Sequence, residues 1–436
     1  MKHKIIFIIL LSFWLTTSTE VRSESDRSNQ FETETAKQVS TDSILSLDDI
    51  LQLVALNNLS FQSNKFRVQA ALSSLKQASL KPNPELSVEF EELHLGTPGV
   101  KESEITVSLA QEFDFFGQRN AKKNLASTEI QRVKFENMLL NFELYLKTKQ
   151  QYYNLVHAQQ KAVLTMTSYE LSTEIVENIR SKINKGSALQ SELLLAQLEQ
   201  QRAQLASEQA KQNALAVEAL LVTLWNGNQT GLLLIHNNEP DFSKLSKQVS
   251  VLSQEIELSR DISLMMQHSQ MLLAEKSLVE AEAKPPIILS AGIKRIEFDN
   301  SNSFLFGVSL PIPFRNSKQG EREKLDANIR SMHYDIEQTK NETRANIQSQ
   351  SISLQQLINT HAALDSLLLP TAKKVYKTLK STYEAGRLPY TQLLEAERTL
   401  NELSFEHNDM LLEIQKQIIA LEQLTLVALR TDKEKL

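Results

Sequence analysis

The feature that most limits this chain is where glycine and proline are missing. Neither type occurs between Gly117 and Gly186, a gap of 68 residues, and a second gap of 40 separates Gly186 from Gly227. The 49 residues between Gly320 and Pro370 hold neither, nor do the 47 after Pro389. Gly and Pro are the usual punctuation of turns, so these gaps demand helices far longer than the common length of about 10–14 residues. The two or three compact domains that 436 residues would otherwise suggest are disfavoured.

Apolar spacing agrees. Leu125, Ile130, Val133, Met138, Phe142, Leu146, Tyr153, Val156, Val163, Tyr169, Val176, Ile179 and Ile183 step forward mostly by three, four or seven, which is the stripe of an amphipathic helix. An unbroken helix over that gap would be about 100 Å long at the α-helical rise. In the later copy of this segment Pro370 removes an interior hydrogen bond, and a kink is expected there.

The chain reads twice, at a spacing near 200 residues. Ser181, Gly186, Leu193, Leu194, Ala196, Leu221 and Leu224 recur as Ser381, Gly386, Leu393, Leu394, Ala396, Leu421 and Leu424, and Lys81-Pro82 recurs as Lys284-Pro285. Each half has one order: a helix, two extended runs, a very long helix, a Gly turn and a second long helix. The halves are residues 46–228 and 251–429, joined by 229–250 with Pro240. A polar leader (24–45) precedes them and a short tail (430–436) follows.

The extended runs alternate. Leu86, Val88 and Phe90 interleave with Ser87, Glu89 and Glu91, and Ile105, Val107, Leu109, Phe113 and Phe115 interleave with Thr106, Ser108, Glu112 and Asp114. The later pair is Ile287, Leu289, Ala291 and Ile293, then Phe304, Phe306, Val308, Leu310, Ile312 and Phe314. A phase shift between Ile293 and Ile296 predicts a bulge, and Pro311 and Pro313 weaken the end of the last run. Gly96, Pro98 and Gly99 mark one connecting loop and Asp299–Asn302 the other, so two hairpins are expected.

At the N-terminus Lys2, His3 and Lys4 precede the apolar run Ile5 to Leu15, with Val21 and Ser23 placed for cleavage, which reads as a secretory signal peptide over residues 1–23. Its removal takes away a net +2 and leaves −8. That acidity argues against nucleic acid as a partner. Zero Cys excludes thiolate metal sites, thiol nucleophiles and a lipidated cysteine. With no apolar run long enough for a spanning helix, any membrane crossing must use strands, which cross only as closed barrels. Four strands are too few for a barrel, because the smallest have about eight, so such a chain must oligomerise. Three copies would supply twelve. The competing reading is two amphipathic hairpins capping a soluble helical bundle.

The duplicated order, with the turns Asn184-Lys185-Gly186-Ser187 and Glu384-Ala385-Gly386-Arg387 leading into Leu193-Leu194-Leu195-Ala196 and Leu393-Leu394-Glu395-Ala396, resembles the TolC family of outer-membrane efflux channels. The resemblance runs from about Leu45 to Leu429. Lys81-Pro82-Asn83-Pro84-Glu85-Leu86 and Gln111-Glu112-Phe113-Asp114-Phe115-Phe116-Gly117-Gln118-Arg119 look like the heavy-metal branch represented by cobalt-zinc-cadmium resistance channels. The resemblance implies a mainly α fold with β: a homotrimer with a twelve-strand barrel in outer-membrane lipid, continued by a long periplasmic α-helical barrel. It also implies a periplasmic membrane-fusion adaptor and an inner-membrane pump of the RND type as partners.

Site residues follow from the same source. The tips Gly186, Ser187, Gly386 and Arg387 are expected to meet the adaptor, and Glu192, Tyr383 and Glu395 to form a periplasmic gate, with Glu192 and Tyr383 as partners. Gln392 stands where an acid would be expected, which thins the ring of charge. No catalytic motif, cofactor site or metal site is expected. The cluster Met265, Met266, His268 and Met271 reads as packing. The function expected is passive export of heavy-metal cations. The alternatives are a multidrug or type I secretion duct and, from a different class, a structural periplasmic coiled-coil protein.

Overall fold

A computed structural model describes residues 45–91, 103–227, 242, 245, 248–249 and 259–429. The expected signal peptide, leader up to residue 44, loop at Gly96, Pro98 and Gly99, most of the joint 229–250 with Pro240, and the tail 430–436 lie outside the described residues. The first copy runs α1 (Leu47–Asn57), α2 (Leu59–Ser79), β1 (Glu85–Glu91), β2 (Glu104–Phe113), α3 (Gln118–Asn184) and α4 (Gln190–Val222). The second runs α5 (Arg260–Glu282), β3 (Ile287–Ile296), β4 (Ser301–Ser309), α6 (Gln319–Ala363), a π-helical turn (Leu364–Leu368), α7 (Leu369–Glu384) and α8 (Tyr390–Thr425).

Local chemistry sets the boundaries. Ser46 and Asp49 form a reciprocal capping box at α1, and the Asn58 side chain accepts from Ser60 N at 2.8 Å to open α2. Asn58 Nδ2 also donates to Leu224 O at 2.6 Å, tying the start of the copy to its end. The Asp114 carboxylate accepts from the backbone N–H groups of Phe116, Gln118 and Arg119 at 3.2, 2.9 and 2.7 Å, and Gly117 adopts φ 81°. This is a strand-to-helix corner, with an anion at the positive end of a 67-residue helix.

The two expected hairpins join into one antiparallel sheet in the order β1-β2-β3-β4. Its register stacks like with like. Val88, Val107, Ile293 and Phe304 lie in one row, and Leu86, Leu109, Ala291 and Phe306 in the next. These rows share a face, and every one of their large apolar side chains is exposed. The opposite face carries the row Glu89, Thr106, Lys294 and Ser303. There Ser87 Oγ meets Ser108 Oγ at 2.7 Å, and Lys294 pairs with Glu91 at 2.9 Å and with Glu104. Gly292 allows the close approach of β2 to β3 on that face, since a Cβ would stand 2.8 Å from Ser108 Cβ.

Several expectations need correction. The bulge between Ile293 and Ile296 is absent, because β3 pairs residue for residue through Ile296 on both sides. Ile296 falls on the polar face at the end of the sheet, beyond the ion pairs of Lys294, and the ladder does not shift to hide it. Phe115, Leu310, Ile312 and Phe314 lie beyond the strand ends, and Pro311 and Pro313 cannot donate to a ladder. The β3–β4 turn is 297–300, so Ser301 and Asn302 are already strand. The break at Pro370 takes the form of the π turn: Leu369 N–H donates to Leu364 O, and Pro370 sits in the first turn of α7, where it lacks nothing.

The apolar stripe of α3 also differs in its middle. Ile130, Leu146, Val176 and Ile179 are buried as read, but Leu139, Tyr152 and Leu155 replace Met138, Tyr153 and Val156 as the deepest residues, and Val163 is exposed. The helix contacts α1, α2, α4, α5 and α8, so no single stripe describes it. One of its ties is fully buried: Lys149 Nζ donates to Glu422 Oε1 at 2.8 Å and to Leu429 O at 3.3 Å. Two ions out of water cost several kcal/mol each, and the attraction between them, with the Leu429 N–H bond to the same Glu422 oxygen, offsets part of that cost, while burial still pushes the Glu422 carboxyl up. Leu245, Ile262, Ile347, Leu354, Ile414 and Ile418 form an adjoining core.

Candidate functional site

The turns between long helices are the same structure made twice. Gly186 has φ 73° and Gly386 φ 72°. At the first turn Gly186 N–H donates to Ile183 O at 2.8 Å and Ser187 N–H to Lys182 O at 2.8 Å. At the second Gly386 N–H donates to Tyr383 O at 2.9 Å and Arg387 N–H to Thr382 O at 3.1 Å. Both are Schellman closures, which need a left-handed residue and so favour glycine. Residues 184–187 and 384–387 are exposed, so all four expected tip residues face solvent in the single chain.

Behind the turns lies a closed apolar cluster of Ile175, Val176, Ile179, Ala196, Tyr383, Tyr390, Leu393 and Leu394, drawn from α3, α4, α7 and α8. Tyr383, expected at a gate, is buried in it, with its ring 6.1 Å from that of Tyr390. Lys182 Nζ stands 3.7 Å from the centre of the Tyr383 ring and donates to Tyr383 O. The Tyr383 hydroxyl has no hydrogen-bond partner among the described residues. Burial first, and then the charge of Glu192, push this phenol up to about 12. Glu192 therefore lies within electrostatic reach of Tyr383 without bonding to it. It sits half-buried in the first turn of α4, where the helix dipole favours an anion. Glu395 is exposed on α8.

The carboxylate that the sequence reading passed over is Glu397, which is 6% exposed. Burial first, then the nearby charge of Glu199, raise it to about 7 against the opposing pull of Arg398 and Lys380. Tyr376, with its hydroxyl also unpartnered, and Tyr390 are pushed up by burial first and by the charge of Glu397. A signal was available. Tyr390, Leu393, Leu394 and Glu397 follow the i, i+3, i+4, i+7 pattern of one buried face, so an acid occupies a core position.

Around this core the copies are cross-linked by charge. Glu174 of the first copy meets Lys380 of the second at 2.9 Å, and Glu199 meets Arg398 at 2.6 Å. Exposed pairs of this kind add about 0–1 kcal/mol each, so they align the helices more than they hold them. The arrangement is a greasy plug with ionisable groups at its edge, set one turn behind two exposed glycine tips.

Residues 251–425 match the outer membrane efflux protein family. The cobalt-zinc-cadmium resistance protein CzcC of Cupriavidus metallidurans is 22% identical over 364 residues, covering 82% of this chain and 84% of that protein. The second copy therefore carries an outer membrane efflux protein domain. The fold of the chain is that of several solved outer-membrane channels. The CusC transmembrane channel superposes with a TM-score of 0.71 at 15% identity, over 92% of this chain and 98% of that one. The CmeC outer membrane channel of Campylobacter jejuni gives 0.69 at 15% identity, over 95% of each chain. The outer membrane protein VceC of Vibrio cholerae gives 0.66 at 14% identity, over 86% of this chain and 95% of that one.

Glu397 yields a pH-dependent prediction. Its folded pKa of about 7 lies above the ordinary 4.5, so the folded state keeps a proton that the unfolded chain releases between those values. Stability then falls as pH rises through this window, and above it the cost is fully in force, about 3 kcal/mol at most. Glu397→Gln should match wild type in denaturant midpoint near pH 4.5 and exceed it at pH 8. A difference of the same size at both pH values would refute the assignment.

Proposed function

We propose that three copies of this efflux protein close a twelve-strand barrel in the outer membrane, continued by a helical tunnel into the periplasm, as the exit duct of a tripartite system exporting heavy-metal cations. The observation that carries this reading is the sheet. It has one exposed apolar face, one polar face, and outer strands β1 and β4 that each pair on one side only among the described residues. β2, β3 and β4 have 10, 10 and 9 residues, the length of a tilted strand crossing a bilayer, about 9–11. No described helix is long and apolar enough to cross a membrane. The apolar face then meets lipid and the polar face lines the pore. The cargo reading rests on likeness to the cobalt-zinc-cadmium resistance protein.

A host lacking the gene, complemented with the wild-type chain, should show heat-modifiable trimers in its outer membrane and regain resistance to zinc, cadmium and cobalt. Phe304→Arg, on the apolar face, should lose about 2–4 kcal/mol of membrane stability and most of the trimer, whereas Ser303→Arg, on the pore face, should keep it. Recovery as a soluble rod would favour a structural coiled coil. Restored drug resistance without metal resistance would move the cargo and keep the duct.

The tunnel is energised elsewhere, by an RND-type pump acting through a periplasmic membrane-fusion adaptor that docks on the tips at Gly186, Ser187, Gly386 and Arg387. Cysteines placed at Ser187 and Arg387 should cross-link to the adaptor; capture only from strand positions would contradict this docking.

Tyr383 and Glu192 hold the periplasmic end closed, with Glu395 adding charge at its rim. The unpartnered Tyr383 hydroxyl supports this reading, because an adjoining copy can satisfy it. Tyr383→Phe together with Glu192→Gln should raise single-channel conductance in a planar bilayer. An unchanged conductance would remove these residues from the gate.

A further inference from the structure

At the π turn, two histidines from different helices face one another. His361, in the last turn of α6, and His407, on α8, bring their Nε2 atoms to 3.1 Å, with ring centres 4.8 Å apart. Asp365, the second residue of the π turn, places Oδ1 3.7 Å from the same His407 nitrogen. The ring of Phe242 meets that of His361 edge-on with centres 5.3 Å apart, giving the pair an apolar wall.

Two imidazole nitrogens this close must share something. Without an ion, one Nε2 donates a proton and the other accepts it. With an ion, both lone pairs turn to it. Two nitrogens bound to a tetrahedral Zn²⁺ at about 2.0–2.1 Å stand about 3.3 Å apart, so the observed spacing needs only a few tenths of an ångström of opening. Among the described residues no three His, Asp or Glu groups already form a finished cage. Here two nitrogens are in place, and the third ligand is a side chain that is 61% exposed, with its Oδ1 already 3.7 Å from His407 Nε2. Two imidazoles and a carboxylate suit Zn²⁺ or Cu²⁺ and not the oxygen-seeking Mg²⁺ or Ca²⁺, and they leave a fourth position for water. π turns also recur at functional sites, and this one supplies the carboxylate.

We propose that His361, His407 and Asp365 bind one divalent transition-metal cation of the Zn²⁺ class, clamping the π turn of the second copy onto α8. The site is separate from the tips and the Tyr383 cluster. It does not rest on the cargo reading, since a drug duct could carry it equally well.

The test is calorimetric titration of the purified full-length channel in detergent with Zn²⁺, beside Cu²⁺ electron paramagnetic resonance. About one ion per chain should bind, with nitrogen splitting from two imidazoles. His407→Gln and His361→Gln should each weaken binding by about tenfold or more and remove one nitrogen from the splitting. Asp365→Asn should weaken it less. His157→Gln, which breaks the His157–Asp409 contact of 2.6 Å, should leave it unchanged. Stoichiometric binding unaltered in both His361→Gln and His407→Gln, or no stoichiometric binding by the wild-type channel, overturns the proposal. If either variant fails to fold, the nitrogen count on the wild-type protein decides alone.

Discussion

A β-sheet placed in hydrocarbon can have no free edge. Each backbone N–H or C=O left unpaired there costs several kcal/mol, so a sheet must close on itself. This chain offers four strands whose register gathers rows of apolar side chains on one face and the Glu89, Thr106, Lys294 and Ser303 row on the other, with β2 and β3 paired residue for residue throughout. It offers no fifth strand among the described residues. The faces call for a bilayer on one side and water on the other, and the open edges call for further copies. In the proposed assembly the helices follow the cylinder that the copies make, which gives a physical reason for a helix of 67 residues in a chain of 436.

Long helices need more than length. A helix is stabilised mostly by what its apolar side packs against, and α3 packs on five neighbouring helices. The copies are fastened at points along its length: Arg260 to Glu143, Lys149 to Glu422, His157 to Asp409, Asn401 to Ser168 and Glu174 to Lys380. Most of these contacts are partly exposed and weak alone. The exception is Lys149 with Glu422, whose side chains are 2% and 0% exposed, so removing either partner would strand a charge in the core.

Much of this was legible in the residues. Missing Gly and Pro reveal where helices run, Gly186 and Gly386 where they reverse, and alternation where strands lie, because each signal is local and set by backbone sterics. Signals that depend on neighbours misled. The α3 stripe shifted by one residue in its middle because different helices cover different stretches, and Ile296 suggested a bulge because one hydrophobic residue at a sheet end looks like a change of phase. Asp114 could be read as an alternating polar residue, and its role as the cap of α3 depended on three N–H groups that only the folded corner brings together. Glu397 was hidden by its chemistry: an acid is assigned to the surface by default, although its spacing from Tyr390 and Leu393 placed it in the core.

The two copies have also diverged in stiffness. In the first, one helix runs unbroken from Gln118 to Asn184; in the second the same path is divided by the π turn before Pro370. The second copy also holds most of the costly groups at the turn end, namely the unpartnered hydroxyls of Tyr376 and Tyr383 and the buried Glu397. Buried polar groups without partners lower the free energy needed to expose them, and a π turn can absorb a change of path without breaking the helix on either side. In the proposed duct the first copy is therefore the strut, and α7 with the start of α8 is the part that yields when the tips open. The ion pairs Glu174–Lys380 and Glu199–Arg398 lie across that division, and being exposed they can part at little cost.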